Sequence, residues 1–176
     1  MVKRGIKITR ESFFTGKRKV GLDSGMLISL VDNRHLFSEY ILKIEEEEGL
    51  LFTHEICVGE AIDVLSSNYG YSKENAEKEV NSFLEERGIY VLPRDRSNSE
   101  TVRDMYRKCK TAKIEFHPPD CFIIADFYKN GINKVYSNNN HFLSACKLFG
   151  MDTSKLKTMD KEIEGQMREL FKKRDK

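Results

Sequence analysis

The sequence predicts an α/β fold, a three-layer α/β/α sandwich with a mostly parallel central sheet. Short apolar runs of strand length alternate with longer stretches of helical period, and Gly, Pro or Asn residues separate them. That alternation joins successive strands through helices, which is the pattern of a parallel sheet covered on both faces. Length agrees: 176 residues suffice for one domain with a real core, plus appended ends.

Residues 1–17 show no clear period and read as a basic N-terminal arm, or in part as an extra strand. Lys19–Leu22 is an apolar strand ending at Asp23, and a short helix follows over 24–31. Leu36, Phe37, Tyr40, Ile41 and Ile44 recur at helical spacing, so 35–48 is an amphipathic helix that Gly49 stops. Leu50–Thr53 is the second strand, and Glu55–Ser67 the helix after it. Ser72 can cap a helix over 73–87, closed by Gly88. Ile89–Leu92 is the third strand, Pro93–Ser99 a polar loop and Glu100–Lys110 a helix. His117-Pro118-Pro119-Asp120 breaks the chain before a helix over 121–129, which Gly131 ends. Lys134–Ser137 is the fourth strand, Asn138–Asn140 a turn and Phe142–Phe149 a short helix. Within 151–176, Leu156, Met159, Ile163, Met167, Leu170 and Phe171 mark a last amphipathic helix with a basic tail. The expected organisation is thus an arm over 1–17, a domain over 18–150 and a C-terminal helix over 151–176.

Composition excludes several classes. No apolar run approaches the ~20 residues that span a bilayer, so no membrane association is expected. The N-terminus lacks the apolar core of a secretory signal. Cys57, Cys109, Cys121 and Cys146 form no CxxC pair, and no histidine stands at zinc-like spacing beside them. They read as reduced packing residues of a cytoplasmic protein. Charge is unevenly distributed: residues 1–19 carry a net +6, residues 153–176 a net +3 and the body between them −7. An acidic body with basic ends suits either a carboxylate metal site with phosphate-attracting ends, or simple solubility.

In parallel α/β sheets, ligands bind beyond the carboxyl ends of the strands. Asp23 directly follows the first strand, Glu60 lies in the helix after the second, and Asp120 opens the helix leading to the fourth. Singly, Asp23 and Asp120 serve equally well as helix N-caps and Glu60 as a solvated residue. Together, three carboxylates from three βα units can converge on one edge, where they repel one another unless a hard cation lies between them. Oxygen donors select Mg²⁺ or Mn²⁺ over zinc, and such a site suits phosphodiester hydrolysis.

At these residues the sequence resembles the PIN-domain nucleases, best known from the VapC-type toxins of toxin–antitoxin pairs. The first motif is Val20-Gly21-Leu22-Asp23-Ser24-Gly25-Met26, and the second is Thr53-His54-Glu55 through Gly59-Glu60-Ala61 to Leu65. The third is Asp120-Cys121-Phe122-Ile123-Ile124-Ala125, followed by Gly131 and Val135-Tyr136-Ser137. The resemblance implies a Rossmann-like sandwich over about 18–150, catalytic Asp23, Glu60 and Asp120, a Mg²⁺ or Mn²⁺ cofactor and RNA as substrate. It also admits an antitoxin-like protein partner and a homodimer. A fourth acid is usual after strand four, in the pattern Thr-x-Asp-x-x-Phe. Here Ser137-Asn138-Asn139-Asn140-His141-Phe142 keeps the hydroxyl and the aromatic but puts Asn139 in the acid's place. Asn139 can offer a carbonyl oxygen to the metal but no charge.

Asp126 stands about 120° around the helix from Asp120 and is a poor replacement for the missing acid. Asp63, one turn beyond Glu60, reads as solvated. Arg94 and Arg96 follow strand three on the ligand edge, where arginine suits phosphate. Ser137 and His141 complete the expected substrate-binding set. The reading is therefore a divalent-metal-dependent ribonuclease. Its alternative is a non-catalytic or attenuated RNA-binding module of the same fold, with Asn139 marking the lost chemistry. A haloacid-dehalogenase-type phosphatase, a P-loop NTPase and a dinucleotide binder are all distant, because their motifs are missing.

Overall fold

Five strands lie side by side in the order β3-β2-β1-β4-β5, and every neighbouring pair is parallel. This computed structural model describes residues 18–32, 49–115 and 117–155. The helix expected over 35–48, the arm over 1–17 and the helix carrying Leu156–Phe171 lie outside the described residues. Those described form strands β1 (Lys19–Leu22), β2 (Leu50–His54), β3 (Tyr90–Leu92), β4 (Lys134–Tyr136) and β5 (Asp152–Ser154). The helices among them are α1 (Ser24–Asp32), α2 (Glu55–Asn68), α3 (Lys73–Glu86), α4 (Ser99–Thr111), α5 (Pro118–Lys129) and α6 (Asn140–Leu148).

From β1 the chain steps outward to β2 and β3, then returns across β1 to β4 and on to β5. Right-handed crossovers place helices of the first series on one face and those of the second on the other. The packing agrees, since α1, α2 and α3 pack against one another, and α4 packs on both α5 and α6. The sheet reverses its order between β1 and β4, and ligand sites of open α/β sheets lie at such a point.

Local chemistry explains most boundaries. Ser72 accepts a hydrogen bond from the Asn75 backbone N–H at 3.2 Å and caps α3. Gly88 and Gly131, with φ of +59° and +69°, take the left-handed turns that close α3 and α5. Helix α5 begins at Pro118, ahead of the expected 121, because proline lacks only an N–H that the first helical turn leaves unpaired anyway. Strand β5 is the one described strand that the sequence reading does not contain. It is three residues long, Asp-Thr-Ser, with no apolar alternation to reveal it. It extends the sheet beyond residue 150 and accepts the Ser137 backbone N–H on the Ser154 carbonyl at 3.2 Å.

The central strand β1 and helix α5 approach closely. A Cβ on Gly21 would stand 2.5 Å from Phe127 Cε2, so only glycine lets α5 lie flat on the strand. Val20, Leu22, Met26, Leu27, Ile124 and Phe127 are fully buried around this contact. All four cysteines are unpaired and buried, in keeping with a packing role. Among the described residues no helix is long and apolar enough to cross a membrane.

Candidate active site

A cavity of about 350 Å³ opens beyond the carboxyl ends of β1 and β4. Its lining includes Asp23, Glu60, Asp120 and Asn139, together with Cys57, His117 and Phe142. Four of the sequence-predicted positions thus share one space, although they come from four separate segments.

Asp23 sits at the end of β1 and is 7% exposed. Its Oδ1 accepts the Met26 backbone N–H at 2.9 Å, which caps α1, and its Oδ2 accepts the Ser137 hydroxyl. Ser137 Oγ in turn accepts the Asn139 backbone N–H at 2.9 Å. Ser137 is fully buried, so its place is to hold Asp23. Burial pushes the Asp23 carboxyl up to about 6; the hydrogen bonds from Ser137 and Met26 oppose this, and the charges of Asp120 and Glu60 add to it. Glu60 and Asp120 are half-buried. Asp120 is also raised, first by burial and then by Glu60, while His117 pulls the other way. Asp120 is not the N-cap of α5, a place His117 takes without a side-chain bond. Cys57, in the cavity wall, is held far up as a thiol by burial and by Asp23 and Glu60, so it offers no thiolate.

Asn139 caps α6. Its Oδ1 accepts the backbone N–H groups of His141 at 2.9 Å and Phe142 at 3.3 Å. Both lone pairs of that oxygen are engaged, which leaves the Nδ2 amide, a donor suited to an anion rather than a ligand for a cation. Arg94, Arg96 and His141 do not line the cavity. Arg94 stacks over the Phe122 ring at 3.9 Å, Arg96 opens a 3₁₀ turn over Arg96–Asn98, and His141 Nε2 faces Glu115 at 3.9 Å. Asp63 is exposed and pairs loosely with Lys73 at 3.8 Å.

Sequence reasoning missed two things. His117 lies on the cavity wall, and its signal was its place directly before Pro118-Pro119-Asp120. The other is a buried network around His54 and Asp126, which are 0% and 1% exposed. His54 Nδ1 accepts the Ile56 backbone N–H at 3.1 Å, so its Nε2–H donates to Asp126 Oδ2 at 2.9 Å. Asp126 also accepts the Asn98 side-chain amide and the Asp95 backbone N–H at 3.1 Å. Lys129 Nζ donates to Asp95 at 2.8 Å and to Asn98 at 2.9 Å. This network ties the end of β2 and the segment after β3 to α5, and so fixes the helices that carry Glu60 and Asp120.

The donor set of the cavity fits a hard divalent cation by type, since its charged groups are all carboxylates. Among the described residues no group of three or more His, Cys, Asp or Glu side chains is placed to hold a metal ion directly. Mg²⁺ tolerates this, because it keeps several waters and takes one or two carboxylates directly.

The chain matches the PIN domain family over residues 20–148. No curated protein matches it significantly. Among solved structures, VapBC2 of Rickettsia felis, bound to a DNA fragment from its promoter, superposes with a TM-score of 0.61 at 9% identity. That match covers 78% of this chain and 98% of the other. DNA-bound VapBC of Salmonella typhimurium gives 0.54 at 19% identity, again over 78% and 98% of the two chains. A Pyrobaculum aerophilum protein gives 0.52 at 14% identity, over 89% and 99%. Likeness at these identities speaks for the fold.

Proposed function

Because the chain belongs to the PIN domain family, a nuclease family, we propose that it is a divalent-metal-dependent endoribonuclease. The observation that carries this reading is the meeting of Asp23, Glu60 and Asp120 on one cavity at the switch point of the sheet. Asp23, Glu60 and Asp120 are the residues that would hold Mg²⁺ or Mn²⁺. The metal, when bound, supplies a water of lowered pKa and offsets charge on the phosphoryl oxygens. The chain's own part is positioning. Met26 N–H and the Ser137 hydroxyl fix both oxygens of Asp23, and the network at Asp126 fixes the two helices that bring Glu60 and Asp120. Asn139, with its oxygen engaged in the cap, offers its amide to a phosphate oxygen, and His117 offers a second polar group at the rim. Arg94, Arg96 and His141 would contact RNA only beyond the cavity. An antitoxin-like protein would act by covering this opening, and a homodimer would leave it free.

Labelled single-stranded RNA incubated with the protein should yield internal cuts with Mg²⁺ or Mn²⁺ and none with EDTA. Asp23→Asn should abolish the cuts. Equal cleavage by wild type and Asp23→Asn would overturn the reading. A second reading rests on Asn139, which replaces an acid by a group with no free acceptor: RNA binding without cleavage. Binding by wild type without any metal-dependent cut would favour it.

A further inference from the structure

Helix α4 carries an unpartnered basic stripe in an otherwise acidic body. Arg103, Tyr106, Arg107 and Lys110 recur at helical spacing and occupy one face about 100° wide. All four are exposed, Tyr106 by 47%. The opposite face holds the buried Met105 and Cys109, so the stripe points away from the core. The acid beside it, Asp104, is spent on Lys108 at 2.8 Å. Among the described residues no carboxylate pairs with Arg103, Arg107 or Lys110, and Glu100, one turn earlier, makes no ion pair with Arg103.

We propose that the exposed Arg103–Tyr106–Arg107–Lys110 face of α4 is a docking track for single-stranded RNA outside the cleavage cavity. The proposal rests on the ribonuclease reading above and extends it. Three features favour nucleic acid over an acidic protein. Successive cations rise about 4.5–6 Å along the helix, which suits contacts to a chain of phosphates. A tyrosine stands among them, and aromatic rings between cations serve base stacking. The stripe also leads to the cavity. Glu115, five residues beyond Lys110, faces His141 near the start of α6 at 3.9 Å, and α4 packs on α5 and α6, which bear Asp120 and Phe142 of the cavity. An RNA strand lying on α4 would thus enter the site from the Lys110 end.

The test compares the full-length wild type with Tyr106→Ala and with the triple variant Arg103→Gln, Arg107→Gln, Lys110→Gln. Binding of a long single-stranded RNA is measured across a salt series, with polyglutamate as a second polyanion. Metal-dependent cleavage of that RNA and of a tetranucleotide is followed in parallel. The triple variant should bind long RNA more weakly, and its slope of log affinity against log salt should flatten by about 2 for three lost phosphate contacts. KM for long RNA should rise with kcat unchanged, and tetranucleotide cleavage should stay at the wild-type rate. Tyr106→Ala should weaken binding about fivefold or more with the salt slope kept. A wild type that cleaves RNA while both variants match it in every measure overturns the track but leaves the nuclease reading intact. A triple variant that loses polyglutamate and RNA equally, with Tyr106→Ala silent, also overturns it and makes the face a surface for acidic protein. A wild type that binds RNA on this face without cutting any substrate upholds the track and removes the nuclease.

Discussion

Asp23 and Asp126 are both buried aspartates within the same sheet-and-helix frame, and the protein treats them in opposite ways. Asp126 is surrounded by donors: the His54 imidazole, the Asn98 amide and the Asp95 backbone N–H. Asp23 receives two donors but also faces the charges of Glu60 and Asp120 across a cavity, and its carboxyl is raised to about 6. A carboxylate saturated with donors is there to hold the fold. One crowded by other carboxylates, on an open space, is stability forgone for a ligand. Burial alone does not separate the two, whereas the count of donors against neighbouring charges does.

The largest effect should come from breaking the saturated site. Asp126→Ala leaves a buried imidazole N–H, a buried amide and a backbone N–H without their acceptor, so unfolding free energy should fall by about 3–5 kcal/mol. Urea denaturation measures it. Metal affinity of the remaining folded protein should weaken only indirectly, through the looser hold on the helices that carry Glu60 and Asp120. A variant of unchanged stability with impaired metal binding would place Asp126 in the site and dissolve the contrast.

Asp23→Asn should act in the opposite direction. For an acid whose folded pKa lies above the unfolded 3.8, the ionised form is disfavoured by folding. Metal-free wild type should therefore lose stability as pH rises from about 4 through about 6 and stay lower above that, by roughly 2–3 kcal/mol. Asp23→Asn removes that dependence. At pH above the shifted value the variant should be more stable than wild type by roughly 2 kcal/mol while losing RNA cleavage. Urea midpoints on both sides of the window provide the check, and a variant less stable than wild type at every pH would show that Asp23 is chiefly a helix cap.

The same contrast explains what was legible in the sequence. Asp23 ends β1, Glu60 lies in the helix after β2 and Asp120 opens the helix before β4, so their order along the chain, together with the family resemblance, was enough to single them out. Asp126 was read as standing about 120° around the helix from Asp120, and it lies in the buried network rather than in the cavity lining. Its partners, though, come from the end of β2 and the segment after β3, and nothing in a linear sequence marks that meeting. Arg94 was read as a phosphate contact from its position, but stacking on Phe122 is a tertiary event. Strand β5 escaped because three polar residues carry no period, and its evidence is a pairing with β4 alone. His117 escaped because the two prolines after it were read as a break rather than as the first turn of α5.

The smallest change tests whether position 139 can be moved from one kind of site to the other. Asn139 is saturated at its oxygen, like Asp126, yet it lines the cavity, like Asp23. Asn139→Asp should keep the cap, because one carboxylate oxygen can accept the His141 and Phe142 N–H groups as the amide oxygen does. The second oxygen replaces a donor by a charged acceptor on the cavity. Two stability effects then oppose each other. A negative charge at the start of α6 is favourable by about 0.3–1 kcal/mol, and repulsion from the other carboxylates offsets it, so the net change should stay below about 1 kcal/mol. Mg²⁺ binding should tighten by about 1 kcal/mol or slightly more, roughly fivefold to tenfold in Kd, since one more charge faces the cation across solvent-filled space. Calorimetric titration of both proteins decides it. Unchanged affinity, with the cap intact, would mean that the second oxygen points away from the metal, and that Asn139 serves α6 and the substrate rather than the cation.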